Sequence, residues 1–169
     1  MFILDIGTGS GCILISLLSE LVKAKGLGVD ICPKALEAAK INAIEHNINK
    51  RVKFLAKPFT NIFNNKFDLI VSNPPYIRSC DIKNLDKDVK NFEPKIALDG
   101  GKDGLDVIRK VIYKSKELLK VNGLLALEIG YGQYRKVSKI LVKNSFKIEN
   151  KLEDHNRNVR CLISRYKRA

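Results

Sequence analysis

Short apolar runs alternate along this chain with stretches whose apolar residues recur at helical spacing, so the pattern predicts strands and helices in turn. Residues 2–6 (FILDI) form an apolar run that stops at glycines, as a buried parallel strand does. Residues 12–23 place Ile13, Leu17, Leu18 and Leu21 on one helical face. A second strand follows at 27–31, and Pro33 stands where a helix takes its first residue before continuing over 35–46. Strands three and four fall at 51–56 and 67–72. Residues 73–102 form a long connection rich in Pro, Asn, Asp and Gly, with one apolar patch at Ile96, Ala97 and Leu98. Connections of that length in compact domains are functional or disordered. An amphipathic helix over 103–120 carries Leu105, Ile108, Ile112, Leu118 and Leu119. A strand at 123–129, a helix at 133–144 and strands at 146–152 and 159–165 complete the series. Alternation of this kind predicts one α/β domain with a mostly parallel sheet. No internal repeat, low-complexity stretch or second domain interrupts it.

Composition narrows the class. A chain of 169 residues with 45% hydrophobic and 29% charged residues is a globular domain, which excludes collagen, coiled coil and disorder. At that length the core needs no disulfide or metal staple. The four cysteines, Cys12, Cys32, Cys80 and Cys161, are scattered without a CxxC pair, so neither a disulfide framework nor a zinc site is expected. No apolar run is long enough to span a membrane, and the opening lacks the basic start of a signal peptide. The expectation is an intracellular, reduced protein of a bacterial cytoplasm or an organelle matrix. Net charge is +13, which favours polyanionic partners such as nucleic acid or a ribosome-associated protein. The lysines are spread along the whole chain, however, and Lys, Asn and Ile enrichment by an A+T-rich genome explains the charge equally well. His46 near a helix end and His155 in a polar turn have no nucleophile or metal partner in view.

Two motifs carry chemistry. The first is DIGTGSG at 5–11, which leaves a strand and opens a helix. Gly7, Gly9 and Gly11 permit tight backbone and close approach of a ligand, and the helix start beyond offers unpaired N–H groups. A dinucleotide fingerprint would require a further glycine where Cys12 stands. Asp30 ends the second strand, 19 residues after Gly11. Its carboxylate suits the two hydroxyls of a ribose, or alternatively caps the next helix. The second motif is Asn73-Pro74-Pro75-Tyr76, directly after the fourth strand and therefore at the carboxyl edge of the sheet, where ligands of open α/β folds bind. Two prolines remove two N–H donors and leave bare carbonyls. The Asn73 oxygen with a neighbouring carbonyl is a pair of acceptors suited to a planar –NH2 group, and Tyr76 is placed to stack on it. Such a pair aims a poorly nucleophilic nitrogen at an activated methyl, so the rate comes from orientation rather than from a strong base. An ordinary Asn-Pro-Pro turn is the bland alternative.

Together these stretches resemble the class I S-adenosylmethionine-dependent methyltransferases, a Rossmann-like fold. More narrowly the chain is similar to the HemK/PrmC family, which methylates the glutamine of the Gly-Gly-Gln motif in peptide chain release factors. The similarity runs through DIGTGSG (5–11), VDICPKALEAAKIN (29–42), FDLIVSNPPYI (67–77), FEPKIALDGGKDGLDVIRKVI (92–112) and LLALEIGYGQ (124–133). NPPY is shared with adenine-N6 methyltransferases. The series Glu93-Pro94, Ala97 to Gly101 and Asp103 to Leu105 is more specific to the glutamine branch. The resemblance implies a seven-stranded, mostly parallel sheet with helices on both faces. It implies that Asp5, Gly7, Thr8, Gly9 and Gly11 line the donor, S-adenosylmethionine, and that Asp30 holds its ribose. Asn73 borders the donor and, with the Pro74 carbonyl, holds the substrate amide alongside Pro75 and Tyr76. Residues Glu128 to Gln133 face the same edge.

The sequence departs from that family in three places. Family members carry a helical domain ahead of the first strand that grips the release factor, and a linker that closes the donor pocket. Residues 1–169 are thus expected to be the catalytic domain without its substrate-recognition domain. The family's acidic residue after strand three is replaced by Lys57-Pro58-Phe59, and its C-terminal Asp-Arg pair is half matched by Val159-Arg160. Release-factor glutamine methylation is the leading expectation. The alternatives are adenine-N6 methylation of nucleic acid, and a truncated remnant that folds without turnover.

Overall fold

A computed structural model describes residues 1–63, 66–84 and 94–167. Its order is β1 (Phe2–Ile6), α1 (Cys12–Glu20), β2 (Lys25–Asp30), α2 (Pro33–Glu45), β3 (Val52–Ala56), β4 (Phe67–Ser72), α3 (Lys95–Leu98), α4 (Asp106–Leu118), β5 (Leu119–Glu128), α5 (Tyr134–Lys143), β6 (Phe146–Glu153) and β7 (Val159–Tyr166). Single turns of 3-10 helix lie at Phe59–Asn61 and Ile82–Asn84. The seven strands form one sheet in the order β3-β2-β1-β4-β5-β7-β6. The first five are parallel, while β7 runs antiparallel to both of its neighbours.

Helices cover both faces, as expected. On one face Ile3 of β1 meets Leu14, Ile15 and Leu18 of α1 and Ala43 of α2. On the other, Leu4 and Ile6 join Ile70, Leu125 and Leu127 beneath Ile108 and Ile112 of α4 and Val137 and Leu141 of α5. Strand β1 is buried on both sides, which is why it reads as a continuous apolar run and not as an alternation. In β2 the glycines let the layers close. A Cβ at Gly26 would stand 2.8 Å from Leu14 Cδ1, and one at Gly28 2.6 Å from Phe54 Cδ1.

Boundaries shift for identifiable reasons. Helix α1 stops at Glu20 and not at Lys23, because the Arg51 guanidinium donates to the carbonyls of Leu18 (2.8 Å), Ala24 (3.1 Å) and Leu21 (3.3 Å). These groups at the helix end and the turn beyond it need a donor, and Arg51 supplies it from across the fold. Strand β5 starts at Leu119, inside the expected helix, and absorbs a bulge before Leu124 in which Asn122 takes φ 64°. The described parts of the long connection after β4 pair with one another as a strap. Ile77 pairs with Asp99 as a parallel bridge. The Ile77 N–H donates to Leu98 O (3.1 Å), Gly100 N–H to Ile77 O (2.8 Å) and Ser79 N–H to Gly101 O (3.0 Å).

Candidate active site

The carboxyl ends of β1 and β4 lie side by side, with Ile6 in register with Ser72. The buried Ser72 hydroxyl ties them by donating to Ile6 O at 2.8 Å. The glycine loop therefore leaves one strand immediately beside Asn73, which leaves the next. The same edge receives Asp30 from β2 and Glu128 from β5.

The loop is held from beneath. Gly7 and Thr8 N–H groups donate to Val29 O at 2.9 and 3.0 Å. Asp30 accepts from Gly9 N–H and Cys32 N–H, both at 2.9 Å, so its carboxylate braces the loop and the entry to α2 together. Asp30 thus holds the N–H of Cys32 just ahead of α2, which itself has no side-chain cap, and keeps lone pairs over for a ligand. Gly7, Gly9 and Gly11 all adopt positive φ (72°, 54° and 81°). Their surroundings differ. A Cβ on Gly7 or Gly9 would meet nothing within 4 Å, whereas on Gly11 it would lie 2.9 Å from Ile15 Cδ1 and 3.3 Å from Ala39 Cβ. Gly7 and Gly9 form an open cradle. Gly11 is buried and is a packing glycine, at the left-handed cap of α1.

Asp5 lies under that cradle with 1% of its surface exposed. Its Oδ2 accepts from the buried Thr8 hydroxyl at 2.7 Å. Its Oδ1 is buried with no partner of ordinary hydrogen-bond geometry. Burial pushes the Asp5 carboxyl up to about 6, against the Thr8 hydroxyl and the Leu14 backbone N–H, which favour its charged form. A buried, half-satisfied carboxylate beneath an open cradle fits a ligand that brings a cationic donor. Ile31, just beyond Asp30, is 50% exposed and offers apolar surface at the same edge. The Lys57-Pro58-Phe59 segment adjoins it through the Asp30–Ala56 pairing, and Phe59 packs partly against the core.

Around the second motif, Asn73 is exposed and Pro74 is buried, while Pro75 and Tyr76 are half-buried. Neither the Asn73 amide nor the Pro74 carbonyl has a hydrogen-bond partner among the described residues. Tyr76, expected to stack on the substrate group, is held at its hydroxyl end. Its hydroxyl accepts from Arg160 Nη2 at 3.0 Å, and the guanidinium lies 5.5 Å from the ring centroid. Arg160 also stands 3.8 Å from Glu128 Oε1. Gln133 ends the stretch expected at this edge, and its side chain reaches Tyr76 O (2.9 Å), a contact that the sequence pattern did not single out. Glu93 lies outside the described residues. His46 caps the end of α2, and His155 is exposed in the β6–β7 turn. Among the described residues no His, Cys, Asp and Glu cluster could hold a metal ion, the cysteines are free, and no helix is long and apolar enough to cross a membrane.

Residues 1–128 match the family model described as a methyltransferase domain. The chain belongs to that family. Its methyltransferase domain is 43% identical over 167 residues to a release factor glutamine methyltransferase of Rhodospirillum rubrum, covering 99% of this chain and 51% of the relative. It is 42% identical over 171 residues to a bifunctional methyltransferase of Rickettsia bellii, covering 99% of this chain and 31% of that protein. The chain thus spans about half the length, or less, of these curated relatives. In fold, the methyltransferase domain superposes with TM-score 0.70 on the ribosomal protein L11 methylase of Lactobacillus delbrueckii, at 24% identity over 98% of this chain and 69% of that one. Magnesium protoporphyrin IX methyltransferase of Synechocystis, solved with bound SAM, gives 0.67 at 18% identity, over 98% and 69% of the two chains. These two likenesses establish the Rossmann-like sheet.

Proposed function

We propose that this domain transfers a methyl group from S-adenosylmethionine to the side-chain amide nitrogen of the Gly-Gly-Gln glutamine in a peptide chain release factor. The observation that carries the proposal is the pair of free acceptors, Asn73 Oδ1 and Pro74 O, beside an open cradle floored by a half-satisfied carboxylate. The relative from Rhodospirillum rubrum, named for release factor glutamine methylation, supports the choice of substrate. The residues fit the donor: Asp5 faces its ammonium end, Asp30 has lone pairs for ribose hydroxyls, and Ile31 presents apolar surface for the purine.

S-Adenosylmethionine supplies a methyl on a cationic sulfur, which leaves as a neutral thioether as the N–C bond forms. The chain's own contribution is orientation. Asn73 and Pro74 accept the two N–H bonds of the substrate amide, which fixes its plane and lets the nitrogen pyramidalise. The nitrogen then sheds one proton to water. Orientation of this kind is a large source of rate and requires no titrating base.

The test is the intact mass of a purified release factor after incubation with the protein and S-adenosylmethionine. One added methyl, mapped to the Gly-Gly-Gln glutamine, is the expected result. Asn73→Ala is expected to abolish the gain while donor binding persists, and undiminished transfer by that variant would refute the assigned role. Net charge of +13 favours the adenine-N6 reading instead. Methylation of nucleic acid with a steep salt dependence and none of the release factor would establish it.

A further inference from the structure

The acceptor loop has an unusual mechanical problem. Pro74 and Pro75 carry no N–H, so two consecutive residues cannot anchor themselves by donating to the frame. The loop must be held through its carbonyls or through its following residues. Tyr76 O and Ile77 O are both taken, by Gln133 Nε2 (2.9 Å) and Gly100 N–H (2.8 Å). Pro74 O is left free.

Gln133 does this from a saturated position. Its Oε1 accepts from Gly130 N–H at 2.8 Å, and its Nε2 donates both to Tyr76 O and to Gly104 O at 3.1 Å. One half-buried amide thus joins three segments: the turn after β5, the acceptor loop, and the loop that enters α4. The space around it is made by glycines. A Cβ at Gly104 would stand 2.5 Å from Tyr76 O and 2.9 Å from Gln133 Nε2. One at Gly130 would lie 3.0 Å from Gln133 Oε1 and 3.0 Å from Tyr76 Cδ2. Only a neutral amide combines an acceptor with two donors in one plane.

We propose that Gln133 is a positioning residue for methyl transfer, holding Tyr76 so that Asn73 and Pro74 present their acceptors to the substrate amide. The proposal rests on the function given above but predicts an effect on the loop that requires no substrate. Gln133→Ala releases the Tyr76 and Gly104 carbonyls. Gln133→Glu keeps the shape but turns a second oxygen towards both of them. The carboxylate repels where the amide donated, and protonation restores one donor.

Hydrogen exchange on the chain alone reads the first consequence. The Ile77 and Gly100 amides are expected to exchange at least about tenfold faster in Gln133→Ala, while amides of β1 and β4 keep their protection. Steady-state transfer to the release factor reads the second. Here kcat/KM is expected to fall about ten- to a hundredfold with the donor Kd unchanged. Activity of Gln133→Glu relative to the parent protein should rise as pH falls. Unchanged exchange at Ile77 overturns the proposal whether or not the parent protein is active. So does a loss of transfer in both variants that tracks lost donor affinity, with no recovery of Gln133→Glu at low pH. An inactive parent protein with faster loop exchange in the variant would instead count against the proposed substrate, leaving the positioning role of Gln133 in place.

Discussion

Replacing Asp5 by Asn should make this protein more stable and a poorer binder of its donor. In the folded chain the carboxyl is raised from 3.8 to about 6, chiefly by burial. The unfolded chain therefore ionises it near 3.8 and the folded chain near 6. Between those values unfolding releases a proton, so stability falls as pH rises through that window, and above it the folded state carries the whole cost. At about 1.4 kcal/mol per tenfold change in the equilibrium, the gap is worth about 3 kcal/mol as an upper limit. Asparagine keeps an acceptor for the Thr8 hydroxyl and carries no charge. Asp5→Asn should thus gain up to about 3 kcal/mol above pH 6 and nothing below pH 4. For a chain of this length each kcal/mol moves the melting temperature by about 2–4 °C. Urea denaturation at pH 4, 5, 6 and 7.5 measures the stability profile, and calorimetric titration with S-adenosylmethionine measures affinity, which is expected to fall at least about tenfold. A variant no more stable than its parent at pH 7.5, with the same slope between pH 4 and 6, would refute the buried-charge account.

Gly11→Ala combines a left-handed φ of 81° with a Cβ 2.9 Å from Ile15 Cδ1. It should destabilise the fold by about 1–3 kcal/mol in chemical denaturation, whereas Gly7→Ala, with open space around it, should cost less stability and act mainly on donor affinity. Arg160→Leu removes the donor to the Tyr76 hydroxyl. Transfer should fall several-fold with the donor Kd unchanged, and equal transfer rates would show Tyr76 to be held without it.

The positions of the strands were legible because β1, β2 and β4 are short apolar runs in the middle of the sheet, a signal that needs no tertiary context, whereas their order came only from the structure. The shape of the candidate site was legible where a local pattern demands a backbone state, as at Gly7 and Gly9. Gly11 looked the same in the sequence as Gly7, yet Ile15 and Ala39 fill the space beside it. That distinction lives in the packing of α1 on α2. The same holds for Arg51 ending α1 and for Gln133 and Arg160 gripping Tyr76, contacts that span 27 to 84 residues of chain. The strap at 98–104 escaped notice because its pairing is between a proline-rich loop and a glycine-rich one, neither of which has strand periodicity. Bulged β5 began four residues early because Leu119 pairs with Phe67 across an irregularity that looked like a turn.

Strand β7 sits between β5 and β6, although β6 precedes it in the chain. On a ribosome β6 therefore emerges before β7, the one strand it pairs with among the described residues. Arg160, which grips Tyr76, arrives with that same strand. The glycine cradle draws on β1 and β2 alone, whereas the frame around the acceptor loop is completed only by the last strand. Under the proposed function, donor binding and methyl transfer would thus be separable in time during synthesis, the second alone awaiting the last strand.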